Sequence, residues 1–307
     1  VSSIRDVLVD AQHRLAKAGI DSAAAESAEL LAHVLAIPRS RLFMHDPIKQ
    51  DDRLAFEKLL TKRLNRIPLQ HITGTAPFRR IELSVGPGVF IPRPESELVA
   101  EAAIRFLREC THPIAVDLCA GSGAIALSLA VEVPGTRVVG IELSSEAFPW
   151  LEQNVTRIHT EVPVEIHQVD ATDFTSGVFT PLMGTCDVVT CNPPYIPSEM
   201  IPRDPEVRKH EPAMALYGGT DGLAVVRGIA KTAAMLLKGG GLLVVEHADV
   251  QGPDAGDLSV VSVLSQVHID TELAGYVTGA PGELLFVDVS DRLDFNQRPR
   301  FTMATRV

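Results

Sequence analysis

Ile114-Ala115-Val116-Asp117-Leu118-Cys119-Ala120-Gly121-Ser122-Gly123-Ala124 is the stretch whose reading decides the fold. An apolar, β-rich run reaches an acidic residue, a loop with two glycines follows, and a helical pattern begins near Ser122. Glycines let the chain turn sharply and bring its backbone against a ligand where a Cβ would collide. Dinucleotide-binding folds share this arrangement, so Gly-x-Gly alone decides little. Position 126 is Ala, which the dinucleotide fingerprint tolerates. Asp117 says more, because a carboxylate there repels a pyrophosphate and suits a ligand with an ammonium group and a sulfonium. An NAD-linked redox enzyme is disfavoured on that ground.

Downstream, apolar runs at 138–141, 164–169, 187–191 and 242–245 alternate with helical patterns. Such alternation predicts a parallel sheet with helices on both faces. Glu142 ends the second run, where an acid hydrogen-bonds ribose hydroxyls. Asp170 ends the third, where its carboxylate can accept from an adenine amino group. Three carboxylates at consecutive strand ends fit S-adenosylmethionine; the alternative is that they are merely polar strand ends. Runs at 267–273 and 283–289, separated by the Gly-rich 275–282, are expected to pair antiparallel as the last two strands.

The fourth run leads straight into Asn192-Pro193-Pro194-Tyr195. Prolines fix φ and cannot donate hydrogen bonds, so this loop is stiff and the Pro193 carbonyl is left free. Asn192 Oδ1 supplies a second acceptor. A planar nitrogen with two hydrogens and a delocalised lone pair is a poor nucleophile. Two acceptors, one per N–H, aim its lone pair at a methyl donor, and Tyr195 offers a flat face for stacking. The gain is orientation plus preorganised dipoles. Read alone, the motif can also be a rigid strand-to-loop turn; after a fourth βα strand and a glycine loop it points to methyl transfer.

Residues 1–70 read as a helical domain: Ile4, Val7, Leu8 and Leu15, then Leu30, Leu31, Val34 and Leu35, recur at helical spacing. Residues 71–92, punctuated by Gly74, Pro77, Gly86, Pro87 and Gly88, read as a hairpin linker. Residues 93–290 then form the catalytic domain. The Arg-bearing tail 291–307 lacks apolar periodicity and is expected to be mobile.

The 307 residues carry 46% hydrophobic and 22% charged side chains and a net charge of −11, which disfavours a free-standing nucleic-acid-binding enzyme. No signal-like N-terminus or membrane-length apolar run is evident, so a cytoplasmic location is expected; a monomer is the default expectation, although nothing in the sequence fixes the oligomeric state. Cys110, Cys119, Cys186 and Cys191 lack metal-ligand spacing and read as reduced thiols, with no metal expected.

The glycine loop together with Asn192-Pro193-Pro194-Tyr195 is similar to the amino-methyltransferases, which act on amide or exocyclic nitrogens. The chain resembles one branch closely, the HemK/PrmC family of release factor glutamine methyltransferases. The resemblance rests on Pro68-Leu69-Gln70-His71-Ile72-Thr73-Gly74, Ile91-Pro92-Arg93-Pro94-Glu95-Ser96-Glu97, Glu211-Pro212, Asp221-Gly222-Leu223 and Glu246-His247. It implies a class I S-adenosylmethionine-dependent methyltransferase: a Rossmann-like α/β domain with a seven-stranded, mostly parallel sheet ending in an antiparallel hairpin, plus the small helical domain, which would recognise the substrate. It implies methylation of the Gly-Gly-Gln glutamine of class I peptide chain release factors. Asn192, Pro193, Pro194 and Tyr195 would be catalytic, with Arg93 and Glu211 also on the substrate. Asp117, Cys119, Ala120, Gly121, Gly123, Glu142, Leu143, Asp170, Ala171, Asn192, Phe90 and Pro92 would contact the cofactor. For Arg93 and Glu95 the alternative is a capped turn into the helix from Ser96. The sequence departs from the family at Glu283-Leu284 and in the length of its tail. An adenine-N6 methyltransferase and a non-catalytic, cofactor-binding translation protein are the competing readings.

Overall fold

A computed structural model describes residues 3–307; the first two residues of the expected helical domain lie outside the described residues. The chain divides into two units. One runs up to Thr75 and takes in Pro202–His210; the other comprises Ala76–Ile201 and Glu211–Val307.

The first unit is helical: α1 (Ile4–Lys17), α2 (Ala23–Leu35), α3 (Gln50–Leu64) and the short α4 (Leu69–Thr73). Ser3 caps α1 by accepting from the Asp6 N–H at 3.1 Å. The α1 stripe Ile4, Val7, Ala11 and Leu15 packs with Leu30 and Leu31 of α2 and Phe56 and Leu60 of α3. Buried Arg63 of α3 is ion-paired to Glu26 of α2 and, at 2.8 Å, to Glu206. Glu206 also holds Arg66 at 2.7 Å. These bonds explain why 202–210, expected within the catalytic domain, belongs to this unit.

In the second unit, β1 (Thr75–Phe78) and β2 (Ile81–Ser84) form a two-stranded sheet, the expected hairpin. Then come α5 (Ser96–Leu107), β3 (Ile114–Leu118), α6 (Ala124–Glu132), β4 (Arg137–Ile141), α7 (Phe148–Arg157), β5 (Glu165–His167) and β6 (Cys186–Cys191). After α8 (Pro205–His210, in the first unit) follow α9 (Ala224–Leu236), β7 (Leu237–Glu246), α10 (Val260–Ser265), β8 (Phe286–Leu293) and β9 (Pro299–Arg306). The seven-stranded sheet has the order β5-β4-β3-β6-β7-β9-β8. Its first five strands pair parallel; β9 pairs antiparallel with both β7 and β8. One apolar core gathers α5 and α6 with Val138, Val188 and Val244, and the other gathers α9 and α10 with Val139, Val189 and Val245. Alternate residues along each strand thus face opposite helix layers.

The terminal antiparallel pair is real but lies further along than the sequence reading put it. The expected antiparallel contact between 267–273 and 283–289 survives only as a short bridge, His268 to Leu284, with the Ile269 N–H donating to the Glu283 carbonyl at 2.9 Å and the Leu285 N–H to the Val267 carbonyl at 2.8 Å; no longer strand forms at 267–273. Asp270 Oδ1 accepts from the N–H groups of Glu272 and Leu273, both at 3.0 Å, and this local turn competes with pairing. The tail expected to be mobile is instead strand β9, inside the sheet. Its arginines are satisfied where the sequence does not show it: Arg300 pairs with Asp294 at 3.2 Å, and Arg306 Nε donates to the Ala234 carbonyl at 2.7 Å.

Candidate active site

Strand register lines up the carboxyl ends. Leu118 is level with Ile141 and Cys191, Ile141 with His167, and Cys191 with Val245. Cys119, Glu142, Asn192 and Glu246 are therefore the next residues along one edge. The strand order reverses between β3 and β6, the position where open α/β sheets bind ligands. The glycine loop and Asn192-Pro193-Pro194-Tyr195 leave the sheet from these two adjacent strands.

In the glycine loop Cys119, Gly121 and Gly123 all have positive φ (63°, 56° and 87°). The Ala120 N–H donates to the Ile141 carbonyl at 2.8 Å, tying the loop to β4. A Cβ on Gly121 would meet nothing within 4 Å, so that face is open; one on Gly123 would sit 2.8 Å from Leu151 Cδ1. Asp117 is only 1% exposed beneath the loop. Its Oδ2 accepts from the Ala126 N–H at 3.1 Å and its Oδ1 from Thr190 Oγ1 at 2.8 Å. The carboxylate expected to face a cationic ligand thus ties α6 to β6. Burial pushes its carboxyl up to about 7.

Glu142 accepts from the Gly121 N–H at 2.8 Å and from the Ser144 N–H at 2.7 Å. Burial raises its carboxyl despite these bonds. Leu143 beside it is 48% exposed, an apolar surface at the strand end. β5 stops at His167, so Asp170 lies three residues beyond the strand instead of ending it. Its Oδ1 accepts from the N–H and hydroxyl of Thr172, at 2.8 and 2.7 Å. Ala171 is buried, and its carbonyl accepts from Thr232 Oγ1 at 2.8 Å.

Asn192 Nδ2 donates to Ser96 Oγ at 3.1 Å. Among the described residues no hydrogen bond reaches Asn192 Oδ1 or the Pro193 carbonyl, so two acceptors stand open together on the stiff loop. Pro194 and Tyr195 are backed by glycine: a Cβ on Gly218 would lie 2.3 Å from the Pro194 carbonyl oxygen, and one on Gly222 2.3 Å from that of Tyr195. Gln251 Nε2 donates to the Tyr195 carbonyl at 3.0 Å. The Tyr195 hydroxyl donates to Glu246 Oε1 at 3.4 Å, and burial pushes its phenol up.

Phe90 and Pro92 are half-buried in the segment before α5. The Arg93 guanidinium lies 5.0 Å over the Phe90 ring and is ion-paired to buried Glu211. These two residues, expected on the substrate, hold each other. Glu95 stands at the N-cap of α5 with no side-chain cap bond, so the capped-turn alternative has no support there.

Several contributors escaped the sequence reading. Asn154 of α7, fully buried, donates to the carbonyls of Ser84 and Ser122, both at 2.9 Å, and accepts from the Ser84 N–H at 2.7 Å. It fastens the glycine loop to the hairpin. Its signal was an amide three residues after buried Leu151 and next to core-packed Val155, on the apolar side of α7. Ser96 and Thr190 looked like ordinary helix-start and strand residues.

A family profile described as PrmC N-terminal domain matches residues 6–74, and one described as Conserved hypothetical protein 95 matches residues 69–226. The chain is 42% identical to the release factor glutamine methyltransferase of Streptomyces coelicolor, over 97% of this chain and 96% of the relative. It is 39% identical to the one of Mycolicibacterium smegmatis, over 100% and 99%. It is also 38% identical, over 81% of this chain and 84% of the relative, to a Streptomyces pristinaespiralis protein named 4-amino-L-phenylalanine/4-methylamino-L-phenylalanine methyltransferase. With the first two relatives matched over nearly their whole length, the chain belongs to the release factor glutamine methyltransferase family.

Proposed function

We propose that the chain transfers a methyl group from S-adenosylmethionine to the side-chain amide nitrogen of the glutamine in the Gly-Gly-Gln motif of class I peptide chain release factors. The observation that carries this reading is the pair of open acceptors, Asn192 Oδ1 and the Pro193 carbonyl, at the strand-order reversal beside the glycine loop. The cofactor fits the residues present. The open face of Gly121 admits a ligand against the backbone, exposed Leu143 offers an apolar wall, and Glu142 has acceptor lone pairs at a strand end. When bound, S-adenosylmethionine supplies an electrophilic methyl group on a positively charged sulfur. Asn192 and Pro193 each take one amide N–H, which turns the nitrogen lone pair toward that methyl and weakens its conjugation. Gly218, Gly222 and Gln251 hold the loop so that little reorganisation accompanies the reaction. The methylated nitrogen loses its proton late, so no strong base is required at the site.

The helical unit supplies a second element of recognition. It carries a cleft of about 660 Å³ in which Leu8, Val9, Leu42 and Phe43 face a polar side with Arg5 and Arg39, and Phe43 is 68% exposed. Exposed Val9 and Phe43 give one side of it apolar surface of the kind that receives a protein partner. Phe43→Ala should raise KM for whole release factor while leaving a short Gly-Gly-Gln peptide unaffected; equal effects refute this role.

The relative acting on 4-amino-L-phenylalanine favours a second reading, since an arylamine nitrogen also offers two N–H groups to the same acceptors. Incubation with labelled S-adenosylmethionine and release factor, 4-amino-L-phenylalanine or duplex DNA separates the readings. Mass spectrometry should find one added methyl on the Gly-Gly-Gln peptide. Label confined to the arylamine or to DNA defeats the proposal.

A further inference from the structure

Glu246, the last residue of β7, is 1% exposed and sits one residue past the Val245–Cys191 register pair, alongside Asn192. Its Oε1 takes the Tyr195 hydroxyl, while Oε2 is buried with no hydrogen-bond partner. Ser96, the first residue of α5 and 3% exposed, accepts from Asn192 Nδ2, and its hydroxyl is a looser polar neighbour of the Glu246 carboxylate. A serine hydroxyl has one hydrogen to give. Given to an ionised Glu246, it leaves Ser96 Oγ able only to accept from Asn192. The Asn192 amide must then turn its nitrogen to Ser96 and its Oδ1 to the crevice. A neutral Glu246 lifts the constraint. The acid can donate to Ser96, the serine hydrogen can pass to Asn192 Oδ1, and the flipped amide would present N–H groups to a substrate that also offers N–H groups.

We propose that Glu246, acting through Ser96 and Tyr195, is a positioning residue that keeps the acceptor face of Asn192 turned to the substrate amide. This rests on the methyl-transfer reading above and adds to it a residue whose charge sets the polarity of the site.

The charged groups facing Glu246 come from each neighbouring element. Arg300 lies on β9, Glu95 precedes α5, and His247 is the next residue after the end of β7. His247 is held by Asp291 of β8 at 2.9 Å and by Thr302 of β9 at 3.1 Å. Burial is the largest influence and pushes the Glu246 carboxyl up to about 7; Ser96, Arg300 and His247 oppose it and Glu95 adds to it. The charged form, and with it the aligned Asn192, therefore fills in as pH rises through about 7.

The test uses full-length Glu246→Gln, Ser96→Ala and the double variant on a Gly-Gly-Gln peptide. Each single change should lower kcat by roughly a hundredfold, the order that a misplaced reacting group brings, with smaller effects on KM. Cofactor binding by calorimetry should be unchanged. Wild-type kcat should rise with pH through about 7, and this limb should vanish in Glu246→Gln, although Asp117, which burial also lifts to about 7, is still present. The double variant should be no worse than the worse single one, since both act through one chain of contacts. A retained acidic limb, or losses that simply add, overturns the proposal. Ser96→Ala leaves no charge unpartnered and gives the same readouts if Glu246→Gln fails to fold. A wild-type protein that binds cofactor but leaves the peptide unmethylated defeats the substrate reading instead; the variants are then compared on 4-amino-L-phenylalanine.

Discussion

The backbone N–H of Gly121 donates to Glu142 Oε2 at 2.8 Å, so the carboxylate at the end of β4 braces the loop at the end of β3. Oε1 takes the Ser144 N–H, and one side chain therefore joins two strand ends. A hydrogen bond to a charged group contributes about 1.5–3 kcal/mol. Glu142→Ala should weaken S-adenosylmethionine binding by roughly ten- to a hundredfold in calorimetry, from the loosened loop and from loss of the ribose acceptor we propose there. Burial raises the Glu142 carboxyl, so wild-type affinity should decline on acidification at a higher pH than an ordinary glutamate would give. An affinity unchanged by the substitution would exclude the brace.

Gly121 and Gly123 share a left-handed backbone but meet different surroundings. An added methyl at 121 points into open space, whereas one at 123 strikes Leu151 and Leu127 at 2.8 and 3.0 Å. Both substitutions carry the strain of a positive φ, of order 1–2 kcal/mol. Gly123→Ala adds overpacking, typically about 1–3 kcal/mol. Urea unfolding should therefore show Gly123→Ala to be the less stable variant, while Gly121→Ala loses cofactor affinity out of proportion to its stability. Equal destabilisation with equal binding would contradict this division.

The parts of the site legible in sequence were those where residue type alone forces geometry. Two glycines, two prolines and a row of apolar β runs located both loops at the carboxyl ends of their strands; that these strands are neighbours, with the strand order reversing between them, is visible only in the fold. What stayed hidden depends on partners distant in sequence. Asp117 looked like a ligand carboxylate because nothing local shows that Thr190 and the Ala126 N–H use it. Arg93 and Glu211, 118 positions apart, gave no sign of pairing. The sheet's last hairpin was displaced for the same reason: arginines at 300 and 306 read as solvent until Asp294 and the Ala234 carbonyl are in place.

Glu206 shows how an acid distant in sequence enters the helical unit. It bridges Arg63 and Arg66 at 2.8 and 2.7 Å, with Arg63 almost fully buried. Burial alone would raise its carboxyl, but the hydrogen bonds from Arg66 and Arg63 outweigh it and the net direction is down. A carboxyl lowered by folding adds stability above its unfolded value, about 4.3, and that contribution is lost as pH falls through the folded value. Glu206→Ala should cost about 3 kcal/mol, the low end for breaking a buried pair, because Arg63 keeps Glu26. It should also remove part of the acid sensitivity of the wild type. Unfolding curves at about pH 7 and about pH 4 check both; a variant as stable as wild type at neutral pH would show the bridge to be energetically idle.

Truncation after Arg298 discriminates most sharply between a mobile tail and an inner strand. β9 pairs with β7 from Leu242–Thr305 to Glu246–Phe301 and with β8 from Phe286–Arg306 to Leu293–Pro299. Removing it leaves β8 without its partner and opens the hydrogen-bonding edge of β7, whose buried backbone groups then lack bonds. It also takes Phe301 and Ala304 out of the two cores. Beyond stability, the loss reaches the site, because Glu246 is level with Phe301 and His247 donates its N–H to the Arg300 carbonyl at 2.8 Å. The truncated chain should lose its cooperative thermal transition and its methyl transfer together. A truncation that melts like the full chain would mean that β9 does not hold the end of β7 in place.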